Sequence, residues 1–120
     1  MIVYHGTDKE SADKILSEKI LRGDRKIFGP GICLTLERAL NYSVIKCGKR
    51  GIHARSIGRI VVIEGLPEQI LDNASLDSPD AYTLNDEFGK PLNGLHVQHV
   101  QVLTIKNAQE LMSLTNKLKS

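Results

Sequence analysis

Ile2-Val3-Tyr4-His5-Gly6-Thr7 is the stretch on which the reading of this chain turns. Ile2-Val3-Tyr4 is a short run of strand formers, and a polar, glycine-bearing His5-Gly6-Thr7 stands at its end. Downstream come Phe28-Gly29-Pro30-Gly31-Ile32-Cys33-Leu34-Thr35 and then Asn41-Tyr42. A polar triplet at a strand end, a glycine-punctuated segment and a tyrosine on the following helix are the parts needed to grip a flat, phosphate-bearing ligand such as a nucleotide.

Working outward, Thr7-Asp8-Lys9-Glu10 has the form of a capping box, with Thr7 bonding forward and Glu10 reaching back. It predicts a helix with apolar positions Ala12, Ile15 and Leu16 that ends near Glu18. Residues 23–31 read as a loop, Ile32-Cys33-Leu34 as a short apolar segment, and Thr35 as the cap of a second helix. That helix has the stripe Leu36, Ala39, Leu40, Ser43 and Val44, and Tyr42 points away from it. Ile60-Val61-Val62-Ile63 is a continuous apolar run, expected as a buried central strand. Residues 72–93 read as a long, acidic, turn-rich loop, and such a loop inside a compact domain is often functional. Residues 97–105 read as one or two strands, and Asn107 as the cap of a last helix over 108–118. The fold class expected is α+β, an antiparallel or mixed sheet with two or three helices in one domain spanning 1–120.

Composition narrows the partners. Sixteen basic against fourteen acidic residues leave a formal charge of +2, too small to commit the chain to nucleic acid or membrane. Tryptophan is absent and aromatic residues are 4% of the chain, so each tyrosine has to be accounted for individually. Cys33 and Cys47 lack C-x-x-C spacing and read as reduced thiols of a cytoplasmic protein. The N-terminus lacks the form of a signal peptide. No apolar run approaches membrane-spanning length. His53, His96 and His99 lack metal-ligand spacing, and no metal is expected.

The ordered set His5-Gly6-Thr7, Ile15-Leu16-Ser17, Leu21-Arg22, Phe28-Gly29-x-Gly31-Ile32 and Asn41-Tyr42 resembles the catalytic domain of the poly(ADP-ribose) polymerases and diphtheria-toxin-like ADP-ribosyltransferases. The resemblance implies a split antiparallel sheet with flanking helices, and NAD as co-substrate. It assigns His5 a hydrogen bond to a ribose hydroxyl, a task for neutral imidazole. Gly6 would hold the nicotinamide carboxamide through its backbone, Thr7 would lie near the adenosine ribose, and Arg22 along the adenosine side. Gly31 belongs to the glycine-bearing motif of the same NAD site, and Tyr42 would stack on the nicotinamide ring.

Two departures qualify the match. Cys33 stands where the family commonly has a second tyrosine, and residues 97–105 contain no glutamate for the third motif. Gln101 is the best-matching position there, ahead of Gln98 and His99, and a neutral amide loses the charge that stabilises a ribosyl cation. The resemblance therefore implies a toxin- or effector-like mono-ADP-ribosyltransferase with His5, Tyr42 and Gln101 as catalytic residues. Its alternatives are a degenerate module binding NAD or ADP-ribose without turnover, and an RNA 2′-phosphotransferase-like enzyme. The implied partners are a macromolecular acceptor, with protein favoured over RNA or DNA by the modest charge, and a cognate inhibitor or antitoxin protein. The basic residues Lys46, Lys49, Arg50, His53, Arg55 and Arg59 and the acidic segment 72–93 are expected to border the acceptor site.

Overall fold

A computed structural model of the chain describes residues 1–23, 28–48 and 54–119. The strand that begins at the first apolar run is longer than expected: β1 covers Val3–Asp8 and takes in the whole His-Gly-Thr triplet. Its ladder with β4 (Gly58–Glu64) explains the extension, because pairing continues from Val3↔Ile63 through Thr7↔Arg59 to Asp8↔Gly58. Helix α1, Lys9–Glu18, therefore starts one residue later, and its cap is Asp8 rather than Thr7. The Asp8 carboxylate accepts from the Ser11 amide at 2.8 Å. The helix ends at Glu18 as expected, with Lys19 in the left-handed region (φ 57°) and its amide bonded to the Ile15 carbonyl.

β2 (Ile20–Arg22) leaves the main sheet and pairs with β7 (Gly94–His96) in a separate two-stranded antiparallel sheet. β3 (Gly31–Cys33) returns to β1 and leads into α2, Leu36–Gly48, where the Thr35 hydroxyl accepts from the Arg38 amide at 3.2 Å, as its capping role requires. The buried positions of α2 are Ala39, Ser43 and Cys47, whereas Val44, expected in the stripe, is exposed. A single helical turn, α3 (Ala54–Ile57), precedes β4.

The expected long loop over 72–93 contains structure. β5 (Ser75–Ser78) and β6 (Ala81–Thr83) form a hairpin about Pro79-Asp80, and a bridge between Asn85 and Pro91 closes a second turn. β8 (His99–Thr104) runs directly into α4 (Ile105–Lys119). The Thr104 hydroxyl accepts from the Asn107 amide at 3.1 Å, so α4 begins earlier than expected and Asn107 lies inside it.

The main sheet has six strands in the order β5-β6-β3-β1-β4-β8, each neighbouring pair antiparallel. Both faces are covered. On one, Val3, Ile32, Val61 and Ile63 pack with Ala12 and Ile15 of α1 and with Leu21, Leu66, Leu84 and Val97. On the other, Cys33, Ile60 and Ala81 pack with Ala39 of α2 and Ala108 of α4. This double burial accounts for the unbroken apolar run of β4, which alternates between two cores rather than between core and water. Small residues on the second face let α2 lie close to β1: a Cβ on Gly6 would sit 1.9 Å from the Ala39 carbonyl oxygen. Among the described residues, no helix is long and apolar enough to cross a membrane.

Candidate functional site

β1 matches six residues to β4 but only one, Tyr4↔Cys33, to β3. Beyond that pair the two strands part. The His5 ring spans the opening, its Nδ1 2.7 Å from the Gly31 carbonyl oxygen. A carbonyl only accepts, so Nδ1 carries the proton and donates, which leaves Nε2 as the acceptor of a neutral ring. Burial holds the His5 pKa below its ordinary value, the nearby Lys46 ammonium pushes the same way, and the hydrogen bond to Gly31 opposes them.

This opening is a crevice of about 60 Å³, walled by His5, Gly6, Gly31, Cys33, Tyr42 and Asp77 and extended by Tyr82 and Thr83. Tyr42 reaches over from α2. Its hydroxyl donates to the Asp77 carboxylate and lies 2.8 Å from the Ser78 hydroxyl. The Tyr42 pKa is raised, first by desolvation and then by the bond to Asp77, so the phenol keeps its proton. Cys33 is buried in the wall, and its thiol is pushed up to about 11, mainly by that burial. At pH 8 only about one Cys33 in a thousand is thiolate. Alkylation of the native protein by iodoacetamide at pH 8 is therefore expected to leave Cys33 unmodified while the unfolded chain reacts fully. Peptide mapping with native-state labelling of Cys33 as complete as in denaturant would contradict this.

His5, Gly6, Gly31 and Tyr42 thus line one crevice. Three other expected site residues do not. Thr7 is fully buried, its hydroxyl accepts from the Lys46 ammonium at 2.9 Å, and it does not line the crevice. Arg22 is exposed on the small second sheet, 3.5 Å from Glu18 in an i,i+4 ion pair. Gln101 pairs with Val62, which pairs with Tyr4, whereas His5 lies in the adjacent row with Val61 and Val102. Because side chains alternate, Gln101 belongs to the opposite face of the sheet from His5, two strands away. Gln98 lies in a bend outside the strands, and His99, paired with Glu64, is exposed on β8. None of the three lines the crevice.

Gly6 also carries a packing constraint. The space its missing Cβ leaves is filled by the backbone of α2. Of the basic segment, residues 49–53 and the Arg55 side chain lie outside the described residues. Lys46 is engaged by Thr7 and, at 3.3 Å, by the Ser11 hydroxyl, and Arg59 donates to the Ser56 and Gly58 carbonyls.

Asp77 and Ser78 belong to the segment 72–93 expected to border the acceptor site, although neither is singled out there as a site residue. The available signal was Ser78-Pro79-Asp80-Ala81, a turn between two short stretches that can pair as a hairpin. A second depression, about 480 Å³, runs along α4, but all of its lining residues come from that one helix, so it is a surface without opposing walls. Comparison of the chain with family models, curated proteins and solved structures finds no match.

Proposed function

We propose that the chain is an NAD-consuming mono-ADP-ribosyltransferase whose site is the opening between β1 and β3. The observation that carries this reading is the bridging of that opening by a neutral His5, fixed by Gly31, in the crevice that Tyr42 also lines. A neutral imidazole with one defined acceptor nitrogen suits a ribose hydroxyl, and a tyrosine ring at a crevice mouth suits a flat heteroaromatic ring. The volume of about 60 Å³ is far below the roughly 300 Å³ of a site that encloses a whole ligand. Only the nicotinamide end can enter, after Tyr42 parts from Asp77, while the adenosine end lies along the outside. A protein acceptor remains favoured, as the modest net charge suits a protein partner better than a polyanion.

Two measurements test this together. Calorimetric titration is expected to show NAD binding to the wild type and weaker binding to Tyr42→Ala, by about 1 kcal/mol for the lost ring contact. Incubation with labelled NAD and separate protein, RNA and DNA pools is expected to yield labelled protein and free nicotinamide. Absence of NAD binding overturns the reading. Binding without nicotinamide release points instead to a module that holds the nucleotide without turnover, and label in RNA or DNA reassigns the acceptor.

A further inference from the structure

The reaction proposed above develops positive charge on the ribose as the glycosidic bond to a cationic nicotinamide breaks, and the expected third-motif residue, Gln101, lies on β8, two strands from β1, and does not line the crevice. Asp77 supplies the carboxylate that lines the crevice. It arrives there through a β-bulge: β5 pairs Leu76↔Tyr82 and then Ser78↔Ala81, so Asp77 is an extra residue without a partner in the ladder. In a regular strand Asp77 and Ser78 would project to opposite faces. Here both reach the same Tyr42 hydroxyl. Bulges beside sites re-aim a side chain in this way.

Resting on the NAD reading, we infer that Asp77 is the catalytic carboxylate of the site, with Tyr42 as its gatekeeper. In the resting crevice the Tyr42 phenol occupies the carboxylate. When a nicotinamide ring displaces the tyrosine edge, Asp77 is freed to face the anomeric carbon. The C1′–N bond then breaks with its electron pair leaving on neutral nicotinamide, and the positive charge that passes to the ribose ring meets the Asp77 carboxylate. The acceptor's nucleophile gives an electron pair to C1′, its proton passes to Asp77, and Asp77 returns that proton to water. Atoms and charge balance without any further reactant. Asp77 is exposed, on an edge strand, so replacing it leaves both cores untouched.

The test compares wild type, Asp77→Asn and Asp77→Glu in single-turnover nicotinamide release, with NAD affinity measured on the same proteins and thermal unfolding as the check on folding. Asp77→Asn is expected to bind NAD within about threefold of wild type and to release nicotinamide about a hundredfold more slowly, the usual cost of removing one preorganised charge contact. Asp77→Glu is expected to recover roughly a tenth or more of the rate, since the charge returns on a longer stem. A merely structural Asp77 would lower the unfolding temperature of both variants and leave the rate per folded molecule unchanged, which overturns the proposal. So does a loss of rate in Asp77→Asn that is matched by an equal loss of affinity. If the wild type neither binds nor cleaves NAD, the underlying reading falls and this proposal with it. Wild-type cleavage alongside an unimpaired Asp77→Asn removes only the role given to Asp77.

Discussion

Gly6→Ala is expected to cost about 3 kcal/mol of folding stability or more. The added Cβ would lie 1.9 Å from the Ala39 carbonyl oxygen and 2.7 Å from the Ser43 nitrogen, both backbone atoms of α2 that cannot rotate aside. Relief requires α2 to lift from β1. That helix carries Ala39 into the second core and the Ser43 hydroxyl onto the Thr7 carbonyl at 2.7 Å, so both contacts loosen together. Gly48, the last residue of the same helix, has nothing within 4 Å of an added Cβ. Gly48→Ala is therefore expected to be neutral or to stabilise by about 0.5 kcal/mol through the reduced freedom of the unfolded chain. Urea unfolding of the two variants measures the contrast, and equal midpoints would refute the close approach of α2 to β1.

His5→Ala is expected to lower NAD turnover, as kcat/KM, about a hundredfold while the protein stays folded. Removing one buried hydrogen-bonding group costs about 1–3 kcal/mol, and loss of positioning at a reacting centre adds to it. His5→Gln keeps a hydrogen-bonding side chain and is expected to fall between the two. The same residue sets a pH dependence of stability. Its folded pKa is below the ordinary 6.5, so the unfolded chain binds the proton more readily. Stability is thus full above about pH 6.5 and declines as pH falls through 6.5 toward the lowered folded value. Thermal unfolding temperatures between pH 7.5 and 5 should show a wild-type decline that His5→Gln reduces. A turnover unchanged in His5→Ala, or identical pH profiles for the two proteins, would remove His5 from the site.

Local signals in this sequence carried as far as local physics does. Thr35 reads as a cap and is one, because the helix after it has no competing ladder. Thr7 misleads because two good capping residues stand side by side, and the choice between them is made by β4, far along the chain, whose pairing draws Thr7 and Asp8 into the strand. Helical period alone assigns Val44 to the core along with Ala39 and Ser43, yet the approach of α2 over Gly6 turns Cys47 inward with those two and leaves Val44 exposed. In the site, His5, Gly31 and Tyr42 were legible from their motifs, since each lies on or beside an element that can be read by itself. Gln101 was not, because β8 lies beyond β4, two strands from β1, and no local pattern states the order of strands in a sheet. Asp77 was hidden for a related reason: its aim depends on a bulge, and the bulge exists only in relation to β6.

The place of β1 in the middle of the sheet has a consequence for how the chain reaches its native state. β1 finds one neighbour in β3 and its long ladder only in β4, where Val3 waits for Ile63. Until that segment has been synthesised, the amino-terminal strand has no ladder to join, and closing so large a loop is slow compared with forming α1 or α2. The walls of the crevice mature later still, because Asp77 comes into position only after β6 has paired with β3. A nascent chain therefore holds His5 and Tyr42 long before Asp77 joins them, and the crevice comes with closure of the sheet rather than with the emergence of its motifs.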